Sequence, residues 1–179
     1  MIRQELRLSG SGGQGLILAG IILAEAALHD GKNVVQSQSY GPEARGGASK
    51  AEVIISDDVI NYPKVNKCDM LLSLTQKACD KYIDSLKPGG VLILDSTVTE
   101  HPNRDDIKIY SIPILEAASK GLNKPMVANI VALGSIYELT KIVSKDSLEK
   151  AVLNRVPRGT EELNKKALEE GFSLYVAIC

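Results

Sequence analysis

Ile2-Arg3-Gln4-Glu5-Leu6-Arg7-Leu8-Ser9 runs straight into Gly10-Ser11-Gly12-Gly13-Gln14-Gly15, and that loop runs into Leu16-Ile17-Leu18-Ala19-Gly20-Ile21-Ile22-Leu23. In the first segment Ile2, Leu6 and Leu8 share one face and Arg3, Glu5 and Arg7 the other, which is the two-residue period of a strand. From Leu16 to Leu28 apolar residues occur nearly all round, as in a helix that is covered on both sides, and Gly31 is placed for a left-handed cap. Part of that cover can come from another chain. Gly10, Gly12 and Gly15 satisfy G-x-G-x-x-G between strand and helix. Glycines there permit a tight turn and let backbone N–H groups approach an anion at the positive end of the helix. The plainer reading is that they only let the helix pack closely against its strand.

Outward from this unit, the apolar pattern changes period repeatedly. Val34–Ser39 and Ala48–Ile55 read as strands flanking a loop, and Asp69–Leu74 as a buried strand. Thr75 is placed to cap a helix running to about Leu86. Lys87-Pro88-Gly89-Gly90 reads as a sharp turn into a strand, Val91–Asp95. Another strand, Ile107–Ile112, precedes a short helix, Leu115–Lys120, capped by Gly121. Helical spacing returns over Val127–Val143, over Asp146–Val156 and after Thr160. This order predicts an α/β fold, three-layer α/β/α, with a mainly parallel, mixed, Rossmann-like sheet in which one hairpin supplies the mixing. The 179 residues read as a single domain, with its C-terminal helices spanning about 146 to 179.

Composition narrows the function. With 21 Lys+Arg against 22 Asp+Glu, the chain lacks the positive field of nucleic-acid binders. Its longest apolar run contains Glu25 and falls short of the ~20 residues of a membrane span. Cys68, Cys79 and Cys179 have no C-x-x-C spacing, which argues against a disulfide framework, a zinc site or a four-cysteine iron–sulfur cluster. Free thiols and a polar start without an export signal point to the cytoplasm. No nucleophile–base arrangement or paired-carboxylate motif stands out, so the chain looks poorly equipped for chemistry by itself.

Four places remain as candidate sites. The first is the loop Gly10, Ser11, Gly12, Gly13, Gln14 and Gly15. A nicotinamide or flavin dinucleotide there requires an acid closing the second strand, which ends instead on Gln36-Ser37-Gln38-Ser39; Asp30 has about the right spacing but precedes the strand. The second is Tyr40–Gly47. There Arg45, beside Gly46 and Gly47, offers a fork of donors to a carboxylate or phosphate, while Glu43 either orients it or pairs weakly with it in a solvated hairpin. Thr75 and Gln76 follow the carboxyl end of a strand, where open α/β sheets form binding crevices, although helix capping alone accounts for Thr75. Asn129 lies early in a helix, and a local hydrogen bond accounts for it equally.

The combination of Gly10-Ser11-Gly12-Gly13-Gln14-Gly15 with Ser39-Tyr40-Gly41-Pro42-Glu43-Ala44-Arg45-Gly46-Gly47 resembles the gamma subunit of 2-oxoacid:ferredoxin oxidoreductases. Ser73-Leu74-Thr75-Gln76, Leu86-Lys87-Pro88-Gly89-Gly90, Asp95-Ser96, Asn129 and Ala132-Leu133-Gly134 extend the likeness over most of the chain. The resemblance implies a subunit of a complex that oxidatively decarboxylates a 2-oxoacid to an acyl-CoA, carbon dioxide and reduced ferredoxin. The long form of the second loop looks most like the 2-oxoglutarate and 2-ketoisovalerate types. It also implies coenzyme A as co-substrate, and thiamine diphosphate, Mg and iron–sulfur clusters on partner alpha, beta and possibly delta subunits. Consistent with this, the chain has no Gly-Asp-Gly followed by Asn-Asn. This chain would hold no cofactor stably alone, would meet ferredoxin only through the complex, and is a possible homodimer when isolated. The rival reading is a stand-alone S-adenosylmethionine methyltransferase, because Lys-Pro-Gly-Gly before a strand also occurs there; a purely structural subunit is the other.

Overall fold

A computed structural model describes residues 2–39 and 48–176. A six-stranded sheet has the order β2-β3-β1-β4-β5-β6, built from β1 (Arg3–Gly10), β2 (Asn33–Gln38), β3 (Ser49–Ser56), β4 (Cys68–Ser73), β5 (Leu86–Asp95) and β6 (Lys108–Ile112). β1, β4, β5 and β6 pair in parallel, while β3 runs antiparallel to both β1 and β2. The hairpin therefore supplies the mixing, as the order of elements predicts.

Helices α1 (Leu16–His29), α4 (Ala128–Thr140), α5 (Lys145–Arg155) and α6 (Glu161–Val176) accompany one face of the sheet. That face is aliphatic: Leu6, Leu8, Ile22, Val53, Leu72 and Leu133 have no exposed surface. Full burial of one such side chain is worth ~1.5–3 kcal/mol. α1 can ride low over β3 because Gly20 has no side chain; a Cβ there would stand 3.2 Å from that of Ala51. α4 and α6 approach closely at Gly134 and Gly171, where a Cβ on Gly171 would come within 2.9 Å of the Gly134 Cα. Among the described residues, the opposite face carries one short helix, α2 (Gln76–Tyr82), and the chain around Val65.

A half-polar first strand is unlike a buried central one, yet β1 lies third of six. A buried ion pair resolves the conflict. Arg7 stands opposite Glu52 in the β1–β3 register, donates to its carboxylate through Nε at 2.8 Å, and gives Nη2 to the Val65 carbonyl at 2.7 Å. Both residues are buried, and the guanidinium also lies over the Tyr82 ring at 5.5 Å.

Three local expectations are corrected. α2 stops at Tyr82 rather than near Leu86, and a tight turn, Ile83–Ser85, carries the chain into β5. Lys87-Pro88-Gly89-Gly90 is not a turn before the strand but a bulge within it. β4 advances two residues from Cys68 to Met70 while β5 advances from Leu86 to Val91, and Gly89 at φ +77° donates to the Asp106 carbonyl. Pro88 has no N–H to give a ladder, so the strand bows out around it. The short helix α3 (Ile114–Glu116) widens into one turn over Ala117–Gly121, and the left-handed residue that follows is Asn123, at φ 53°, not Gly121. α1 ends as its sequence suggests, with Gly31 at φ +75°.

Candidate functional site

The parallel strands β1 and β4 lie side by side, but the helices after them go to opposite faces: α1 with the aliphatic cluster, α2 with the other. Their carboxyl ends are therefore a topological switch point, where an open sheet leaves a crevice. The glycine loop leaves β1 here, and Leu74, just after β4, donates to the Ser9 carbonyl at 2.9 Å. Ser9 and Ser73 close the floor with hydroxyls 3.0 Å apart.

The loop is held from within and from behind. Gln14 Oε1 accepts from the Ser11 N–H at 2.7 Å, folding the loop back over Gly10, which packs against Leu16 and Leu74. Gly15, at φ 73°, is the residue before α1, and its carbonyl accepts the first helical bond, from Ala19 at 3.0 Å. Asn129 is buried at the start of α4 and donates its Nδ2 to that same carbonyl at 3.2 Å. A Cβ on Gly15 would stand 2.6 Å from that nitrogen. Asn129 is thus joined to the glycine loop across 114 residues of sequence. α1 starts without a side-chain cap and without an acid in its first turn. Its positive end is left to complement an anion.

In front of the loop lies a groove of about 510 Å³ between the Gly12 and Gly13 backbone, Ile17 and Ile21 on α1, and Ser49 on β3. Ser49 pairs with Gly10 in the β1–β3 register, so the strand end and the loop form one rim. The sequence reading passed over Ser49, Ile17 and Ile21. The clue for the isoleucines was the helix that is apolar nearly all round; only register could place Ser49.

Thr75 caps α2, its hydroxyl accepting from the Ala78 N–H at 3.2 Å. Gln76 braces the segment beyond β5, donating to the Glu100 carbonyl at 2.9 Å and accepting from the Glu100 N–H at 3.1 Å. Asp30 faces away from the site: it takes the Ser144 N–H at 2.6 Å and the hydroxyls of Ser144 and Ser147. Partial burial pushes the Asp30 carboxyl up, but these bonds and the Lys32 charge outweigh it and hold the group below the usual range. No acid is thereby supplied for a ribose. Tyr40, Glu43, Arg45, Gly46 and Gly47 lie outside the described residues. Their flanks, Ser39 and Ala48, adjoin the β2 and β3 ends that share this edge of the sheet with the glycine loop.

The two described thiols are elsewhere, and Cys179 lies outside the described residues. Cys68 and Cys79 are buried under the α2 face; burial raises both, Cys79 to about 11 with the Asp80 charge adding to it. Such thiols resist ionisation and do not fit a cluster-binding set. Among the described residues, no three His, Cys, Asp or Glu gather as metal ligands, and no helix is long and apolar enough to cross a membrane.

Comparison with known proteins adds to this geometry. Residues 5–174 match the model of the pyruvate ferredoxin/flavodoxin oxidoreductase family. The chain is 54% identical over 176 residues to 2-oxoglutarate synthase subunit KorC of Methanocaldococcus jannaschii, covering 97% of this chain and 94% of that protein. It is similar to the solved gamma subunit of a keto/oxoacid ferredoxin oxidoreductase from Geobacter sulfurreducens, at 55% identity and a TM-score of 0.87, covering 97% of this chain and 99% of that one. The fold also recurs, at 22% identity and a TM-score of 0.86, over 99% of this chain and 32% of a longer one, the 2-oxoglutarate:ferredoxin oxidoreductase of Magnetococcus marinus.

Proposed function

The chain belongs to the pyruvate ferredoxin/flavodoxin oxidoreductase family, and from that premise we propose that it is the gamma subunit of a complex that converts 2-oxoglutarate and coenzyme A to succinyl-CoA and carbon dioxide. Two electrons leave the substrate for ferredoxin. Identity above half to both a 2-oxoglutarate synthase subunit and a gamma subunit supports this assignment. Partner alpha and beta subunits, with or without a delta subunit, complete the assembly. They carry thiamine diphosphate with Mg, which supplies the decarboxylation chemistry, and the iron–sulfur clusters that conduct electrons; the raised thiols of Cys68 and Cys79 suit neither task.

The role of this chain is to bind and to exclude. The glycine-loop N–H groups and the uncapped start of α1 receive anionic phosphate of coenzyme A. Arg45, in the connection between β2 and β3, adds a guanidinium. Covering the entrance keeps water from the reactive acyl intermediate. The observation that carries this reading is the glycine-built, acid-free helix start opening onto a groove between α1 and the start of β3.

The test is Arg45→Ala in the reconstituted complex, which should raise the KM for coenzyme A while leaving that for the 2-oxoacid in place. An unchanged coenzyme A dependence sinks the ligand role and leaves the loop as a subunit contact. A purely structural subunit predicts, in addition, no protection of Gly12–Gly15 from hydrogen exchange by coenzyme A.

A further inference from the structure

Beneath the strand end that forms one rim of the glycine-loop groove lies a residue with no part in the sequence reading. Tyr82, the last residue of α2, is 6% exposed, and its hydroxyl donates to the Ala48 carbonyl at 2.6 Å, across 34 residues of sequence. Ala48 directly precedes Ser49, the β3 residue that pairs with Gly10 and lines the groove.

The Tyr82 ring is itself fixed. The Arg7 guanidinium lies 5.5 Å from its centroid and the Lys50 ammonium 5.8 Å. Both cations are tied to one carboxylate, since Lys50 Nζ donates to Glu52 Oε1 at 2.8 Å, the oxygen that Arg7 Nε also reaches. The Lys50 backbone completes the frame: its carbonyl accepts the Ser39 N–H at 3.2 Å, fastening the β2 end beside it. A phenol buried among cations thus gives its hydroxyl to the carbonyl next to a groove residue.

We propose that Tyr82 is a positioning residue for the coenzyme A groove, setting Ala48–Ser49 against the glycine loop through its hydroxyl. This rests on the reading of the groove as the coenzyme A contact. Losing one hydrogen bond of this kind corresponds to about a threefold to tenfold change in an equilibrium.

The experiment compares the wild-type complex with complexes carrying Tyr82→Phe or Arg45→Ala. Each is assayed for kcat, for KM of coenzyme A and of 2-oxoglutarate, and for hydrogen exchange over residues 48–52. Phe keeps the ring, its burial and its cation contacts, so folding is preserved. Tyr82→Phe should raise the KM for coenzyme A about threefold or more, leave kcat and the 2-oxoglutarate KM within about twofold, and speed exchange over 48–52. An unchanged coenzyme A KM in Tyr82→Phe beside a raised one in Arg45→Ala overturns the positioning role and leaves the ligand reading standing. If neither variant moves it, the ligand reading falls, and exchange decides for Tyr82: faster over 48–52 supports its hold on the rim, unchanged overturns it. Exchange that rises evenly throughout, with a lower melting temperature, marks a merely structural residue and also overturns the proposal.

Discussion

The two faces of the sheet are sealed by different means. The face under α1, α4, α5 and α6 is closed by aliphatic side chains and by two glycines that let helices touch. The face under α2 is closed by fewer apolar groups and by a polar frame in which Arg7, Glu52, Lys50 and Tyr82 satisfy one another. An aliphatic layer is non-directional and tolerates many arrangements that keep its volume. A buried ion pair is directional: it holds strands and a neighbouring ring in one geometry at little net gain over an apolar substitute. The first kind of face supplies stability. The second holds the rim of the groove.

Breaking the polar face by halves should do the most damage. Arg7→Met leaves the Glu52 carboxylate buried with Lys50 and the Ser37 hydroxyl as its remaining partners among the described residues, and should cost about 3 kcal/mol in urea unfolding. Replacing both partners, Arg7→Met with Glu52→Leu, should recover most of that loss; a double variant as unstable as the single one would show the pair to be a true source of stability. On the aliphatic face the corresponding break is Gly171→Ala. Its methyl would meet the Gly134 backbone, and pushing α4 from α6 should cost about 2 kcal/mol, read as a lowered urea midpoint. A fully wild-type midpoint would mean that the two helices slide freely.

The smallest effect sharpens the contrast, because it concerns a polar contact at the margin of the aliphatic side. The Asp30 carboxyl, held down by Ser144 and Ser147, has a lower value folded than unfolded. Its contribution is therefore fully present above the ordinary 3.8 and is lost as pH falls through the lower folded value. Urea midpoints measured from pH 6 downward should fall less steeply in Asp30→Asn than in the wild type over the window between 3.8 and that lower value. Parallel curves would remove Asp30 as a contributor.

Much of this was legible along the chain. Alternation marked β1, the glycine loop marked the junction into α1, and Gly31 marked its end, because each depends on neighbours within a few residues. The bulge at Pro88–Gly90 was misread as a turn, since proline and glycine break a ladder in either setting and only the partner strand distinguishes them. The burial of Arg7 is equally hidden from its neighbours in sequence. Its partner Glu52 lies 45 residues away, and nothing local announces that the two will meet.

The candidate site divides along the same line. Local sequence sufficed for the glycine loop, for the capping role of Thr75 and for the missing acid at the end of β2, since turn geometry and helix polarity are properties of short segments. Strand order decided the rest: that β1 and β4 stand together, that Ser49 faces the loop, that Asn129 holds Gly15 from behind and that Tyr82 holds Ala48. Those contacts join residues 34 to 114 positions apart, and they exist only because burying the apolar faces brings distant segments into one register.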